Sequence, residues 1–176
     1  RANWKRLLED GLNWKMEANF AAHTDLIERL QSFKVFVADE YLLTLDSELA
    51  SFYLIDTTIN KLPHALEQLG QIRAYGTGIL TNKQITRQQE IQVHTRISEL
   101  NTALKELRNN LDKTGRHNPA VRDSLRATSD NINRSARQII DLVKTDILTG
   151  RLATSPDVFL ERSTVEIDRG YTQMYE

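Results

Sequence analysis

The chain has 176 residues, 40% hydrophobic and 27% charged, with a formal net charge of −1. This is the balance of a globular domain, and it lacks the basic excess of a nucleic-acid or anionic-membrane binder. Cysteine is absent, which removes disulfides, zinc–thiolate sites and thiol catalysis. No apolar run approaches the roughly 20 residues of a membrane span, so the chain reads either as soluble throughout or as the soluble part of a membrane protein.

Apolar residues recur at three- and four-residue steps and β-branched alternation is nearly absent, which predicts an all-α protein of five long helices. The first is expected over 3–43, with Leu26, Leu30, Phe33 and Val37 as its clearest stripe and Gly11 as a local weak point. Trp4 and Trp14 fit either a core layer or an interface. The second, over 47–80, starts after Asp46, a good N-cap. Its seam runs Phe52, Ile55, Ile59, Leu62, Leu66, Leu69, Arg73, Gly76, Leu80, the spacing of helices crossing at a shallow angle. Pro63 removes a backbone donor inside this helix and predicts a kink near Asn60 rather than a stop.

The third helix is expected over 86–114, opening on the capping box of Thr86 and Gln89 and ending at Gly115. Its seam is Ile97, Leu100, Leu104, Leu107 and Leu111. The fourth, over 119–149, starts at Asn118-Pro119 and closes at Gly150. Its seam is Val121, Leu125, Thr128, Ile132, Ser135, Ile139 and Leu142. The fifth, over 156–176, starts at Ser155-Pro156, carries Phe159, Ile167, Tyr171 and Met174, and shows no C-cap. At about 1.5 Å per residue a first helix of roughly 40 residues would span some 60 Å. The expected architecture is therefore one domain over 1–176: an elongated antiparallel bundle, read further as two stacked four-helix modules sharing the long first helix. An odd number of passes also leads to the expectation of a sixth helix after Glu176.

Arg73 is the sharpest feature, because a guanidinium in a packing seam keeps its proton and needs a carboxylate, carbonyls or a bound anion. One reading holds a carboxylate or similar anion between helices, with Gly70, Gly76 and Gly78 leaving room for it. The competing readings are an internal ion pair, a side chain reaching out to water, or a frayed helix end. Tyr53, Asp56 and Asn60 form a polar strip beside the same seam. They are candidates for ligand hydrogen bonds, against the plainer reading of a solvated or dimer-facing strip. The assigned ligand-binding set is Arg73, Tyr53, Asp56, Asn60 and Gly76.

The four histidines, His23, His64, His94 and His117, have no i, i+4 pair and no Glu-x-x-His motif, so no metal is expected. No nucleophile elbow, phosphate loop or dinucleotide fingerprint occurs. Neither a cofactor nor an enzymatic activity is expected.

The run Leu45-Asp46-Ser47-Glu48-Leu49-Ala50-Ser51-Phe52-Tyr53-Leu54-Ile55-Asp56, followed by Leu62-Pro63 and Leu69-Gly70-Gln71-Ile72-Arg73-Ala74-Tyr75-Gly76, resembles the extracytoplasmic all-helical sensor regions of bacterial transmembrane signalling proteins. These are the methyl-accepting chemotaxis proteins, sensor histidine kinases and some diguanylate cyclases. The segment Phe159–Asp168 is similar to the start of the helix leading toward their second membrane span. Phe52-Tyr53 departs from that pattern, which more often has two tyrosines. The resemblance implies a periplasmic domain of an inner-membrane receptor, anchored by flanking helices and working as a homodimer. It also implies that related bimodular sensors bind small organic acids within the bundle. A ligand at Arg73 would then bias two packings of the bundle and shift the fifth helix against the first. The alternative from another class is a helical-bundle interaction protein that docks a partner helix without a small ligand.

Overall fold

The computed structural model describes residues 2–175, without the side chains of residues 2, 3, 12, 16, 17 and 173–175, so Met174 lies outside the described side chains. Among the described residues the chain is helical, with no strand, and it divides into two compact units, 1–45 and 46–176.

The first unit corrects the expectation of one helix over 3–43. Helix α1 (Ala2–Asp10) ends in a 3-10 turn at Gly11–Asn13, and α2 (Met16–Glu40) starts afresh after Lys15. Glycine at residue 11 weakens the helix at that point. Lys15 then takes an extended conformation, φ −60° and ψ 145°. Asn19 closes the corner by donating to the Gly11 carbonyl at 2.6 Å, a side chain supplying the partner that the interrupted helix no longer provides. Arg6 lies over the Trp14 ring, 5.2 Å from its centre. A shared 40-residue helix is therefore not what begins this chain.

In the second unit, α3 (Leu49–Asp56) and α4 (Leu62–Asn82) form one continuous pass, joined by a π turn at Thr57–Lys61. The cause is Pro63. It has no N–H to give and its ring crowds the turn before it. The helix accommodates this by widening, and the Leu62 N–H donates to the Thr57 carbonyl five residues back. The expected irregularity near Asn60 is thus a π turn, which inserts one residue and slips the register. Upstream, the deep line is Ala50 and Thr57, while Phe52 of the expected seam is exposed. Downstream, Leu62, Leu66, Leu69 and Leu80 are buried as the spacing predicts, joined by Ile72 and Ile79.

Helix α5 (Arg87–His117) opens on the predicted capping box: the Gln89 N–H donates to Thr86 Oγ1, and the Thr86 N–H donates to Gln89 Oε1. All five seam residues from Ile97 to Leu111 are buried. Gly115 does not end this helix, which continues two residues further. A 3-10 turn at Pro119–Val121 leads to α6 (Arg122–Leu142), followed by a second π turn at Val143–Ile147. The sequence of Asn118-Pro119 marks the break but gives no side-chain cap. Ser155 then opens α7 (Pro156–Tyr175), accepting from the Val158 N–H.

Packing is cyclic: α3 and α4 against α5, α5 against α6, α6 against α7, and α7 back against α4. Where α4 meets α7, the paired residues ascend on one helix as they descend on the other. Along α4 and α7 the meetings are Leu66 with Gly170, Arg73 with Thr164 and Gly76 with Phe159. A single apolar core contributed by α4, α5, α6, the second π turn and α7 fills the middle.

The bundle end carrying residues 148–155 is held by a buried carboxylate. Asp146 accepts from the N–H groups of Ala153 and Thr154 and from Arg151 Nε, at 2.8–2.9 Å. Burial pushes this carboxyl up, but the donors from Thr154, Ala153 and Arg151 outweigh it and hold the group well below the ordinary carboxylate range. One side chain thereby satisfies the backbone of a loop that contains Leu152 at φ +47° and Gly150 at φ +72°. Lys83, after α4, reaches the same loop through Leu152 O at 2.9 Å.

Candidate anion-binding site

Arg73 stands at the edge of the α4 stripe, half-buried, because Ile72 takes the deep position beside it. A straight helix has 3.6 residues per turn, so a strict three-four seam drifts sideways along it. The guanidinium donates to Thr164 Oγ1 of α7 at 2.8 Å. Thr77 returns a bond to the Arg73 carbonyl at 2.8 Å. The arginine is neither sequestered in hydrocarbon nor paired with a carboxylate among the described residues.

The room expected at Gly76 is already taken. A Cβ placed there would meet two carbons of the Phe159 ring at 2.5 Å and Ile147 Cδ1 at 3.0 Å. Gly76 is small so that an aromatic ring from α7 can lie on the backbone of α4. At Gly70 a Cβ would meet nothing within 4 Å, and Gly70 is not walled into a pocket with Arg73.

Of Tyr53, Asp56 and Asn60, the last two are bonded to each other, while Tyr53 meets Lys113 of α5 instead. Asp56 accepts from Asn60 Nδ2 at 2.7 Å and from the buried Asn110 of α5 at 2.6 Å. Lys113 Nζ sits 4.5 Å from the centre of the Tyr53 ring. These bonds tie α3 to α5 and leave the carboxylate engaged by the protein's own amides. Arg73 is not part of this group: it lies thirteen residues beyond Asn60, about 20 Å along the pass at 1.5 Å per residue.

A different set of cations gathers on the opposite flank of the same α5 segment. Arg108, Asp112 and Arg116 recur at four-residue steps along α5, and Arg122 and Arg126 at the same step along α6. Together they line a cleft of about 310 Å³ at the corner where the two helices meet, with Leu111 and Gly115 completing the wall. The helices touch at backbone level there, since a Cβ on Gly115 would lie 3.1 Å from Arg122 Cα. Arg122 Nε donates to the Gly115 carbonyl at 3.0 Å, anchoring that guanidinium across the corner.

Elsewhere five arginines pair with carboxylates, Arg29 with Asp25, Arg87 with Glu90, Arg96 with Glu99, Arg151 with Asp146 and Arg169 with Glu166, while Arg73, Arg134, Arg137 and Arg162 form no ion pair among the described residues. Among the described residues none of the four cleft arginines forms an ion pair. The cleft was missed because each arginine, read along its own helix, looks like an ordinary solvated charge. The available signal is an arginine pair eight residues apart before a helix break and another four apart after it.

Among the described residues no group of three or more His, Cys, Asp or Glu is arranged to hold a metal ion, and no helix is long and apolar enough to cross a membrane. No family model matches this chain, and comparison with curated proteins and with solved structures returns no match.

Proposed function

We propose that this chain is a ligand-sensing helical domain of a membrane-anchored bacterial receptor, a binding module rather than an enzyme, which detects a small anion. The observation that carries the reading is the corner cleft, where four guanidiniums that form no ion pair among the described residues converge in a chain whose net charge is −1. The sequence resemblance around 45–76 supports a periplasmic placement with flanking membrane helices. Two π turns, at 57–61 and 143–147, supply places where a small register change is absorbed without unfolding a helix. The α5 segment 108–116 has the cleft on one flank and the Asp56–Asn110 bond on the other. Tightening the corner therefore pulls on α3 through Asn110.

The testing experiment is a thermal-shift screen of the purified chain against organic acids, amino acids and inorganic anions. A ligand at about 100-fold over its Kd stabilises by roughly 2.7 kcal/mol. Silence across every anion would remove the reading.

One observation favours the docking alternative. Leu30 and Phe33 of the α2 stripe are 59% and 63% exposed, with Phe36 beside them, an unusual concentration of large apolar surface. A second copy of the chain is the occupant that agrees with the sensor reading, and an unrelated partner helix the one that agrees with the alternative. Sedimentation of wild type and Phe33→Ser separates them: a concentration-dependent dimer lost in the variant supports self-association.

A further inference from the structure

We infer that the α5–α6 corner cleft is built for a compact, non-aromatic anion carrying three or more negative charges. The inference rests on the binding reading above and names the ligand class of that site.

Charge sets the first constraint. Four arginines and one aspartate line the cleft, Arg108, Arg116, Arg122 and Arg126 with Asp112, so the wall carries 4 − 1 = +3. The four guanidiniums are fixed positive charges on exposed side chains. A monoanion leaves the wall strongly positive, whereas a trianion neutralises it. The wall also presents its donors in forks suited to paired oxygens of carboxylate or phosphate. Arg122 uses one of its five N–H groups on the Gly115 carbonyl and is held in place with the other four to offer.

Shape sets the second constraint. Leu111 is the one large apolar residue of the lining and no aromatic contributes, so nothing offers a stacking face to a base or a ring. A volume of about 310 Å³ lies at the lower end of small-ligand sites. It suits an oligophosphate or a tricarboxylate, one molecule at a time. Bound there, the anion would bridge the last turns of α5 and the first turns of α6, two segments otherwise joined by the Arg122–Gly115 bond.

Pyrophosphate and citrate are the two probes, titrated calorimetrically into the whole chain at low salt, with acetate and succinate as lower-charge comparisons. Saturable one-to-one binding of at least one trianion is expected, weakening as salt is raised. Arg108→Gln and Arg126→Gln change exposed side chains and should each weaken it at least ten-fold with an unchanged melting temperature for the unliganded chain. Arg73→Gln should leave it within two-fold. The stronger of the two probes assigns the source, oligophosphate or tricarboxylate. Trianion binding indifferent to both cleft variants would overturn the inference while leaving anion sensing intact. So would acetate or succinate binding more tightly than either trianion. No heat and no melting shift with any anion would overturn both.

Discussion

Between α4 and α7, Arg73 and Gly76 stand three residues apart on one helix; at the α5–α6 corner, Gly115 and Arg122 face each other across a chain reversal. The ingredients are the same, a permanent cation beside a missing side chain, yet the outcomes are opposite. In the seam the space left by glycine is filled by the Phe159 ring, and the arginine finds a threonine hydroxyl. At the corner the space is used by the neighbouring backbone, which brings two helices close enough for their arginines to line one cleft. A glycine near an arginine is therefore no ligand signal in itself, since the vacated volume is taken in both places, by the Phe159 ring in one and by Arg122, seven residues on, in the other. What distinguishes the corner is that close approach of two helices gathers their arginines around one opening.

Removing the ring that fills the seam should have the largest effect. Phe159 is fully buried, and Phe159→Ala should cost about 3–5 kcal/mol, read from urea denaturation. A loss below about 1 kcal/mol would mean that the ring is a loose lid and the seam a latent pocket. The reciprocal change, Gly76→Ala, adds a carbon 2.5 Å from the same ring and should destabilise by about 1–3 kcal/mol.

The filled region also depends on the loop that leads into α7. Asp146→Asn puts a donor where three donors converge, and should lower stability by about 1–3 kcal/mol at neutral pH. Because the folded carboxyl lies below its ordinary 3.8, the wild-type contribution is complete above that value and is lost as pH falls beneath it. The gap between wild type and variant should accordingly narrow below pH 3.8; a gap that widens there would contradict the clamp. The smallest effect has the opposite sign. Gly70 has open space at its Cβ position, and Gly70→Ala should stabilise by about 0.4–1 kcal/mol through the unfolded chain, visible as a raised melting temperature. A destabilising result would show that α4 needs glycine there for a contact made in another packing of the bundle.

Much of the fold was legible in the residues alone. The Thr86–Gln89 capping box, the five apolar positions of α5 and the disturbance before Pro63 follow from local rules, since each involves side chains within a turn or two of one another. Less legible was the first helix: Gly11 marks a weak point, but only the Asn19 bond back to it converts weakness into a corner. The stripe Leu26, Leu30, Phe33, Val37 has the right period for a core, and the structure leaves much of it exposed. Periodicity shows that a face is apolar, without naming what covers it.

The order of residues was enough to make the chain helical, to set where most of its helices begin and to mark the buried Ile97, Leu100, Leu104, Leu107 and Leu111 of α5. These are properties of hydrogen bonds and apolar spacing that act over one or two turns. Packing between helices settled the fate of the charges and glycines: that Arg73 slides to a stripe edge, that Gly76 shelters an aromatic ring, and that four arginines from two helices line one opening. Guanidiniums on separate helices share a field only once packing brings them together, and the spacing within either helix carries no record of that meeting.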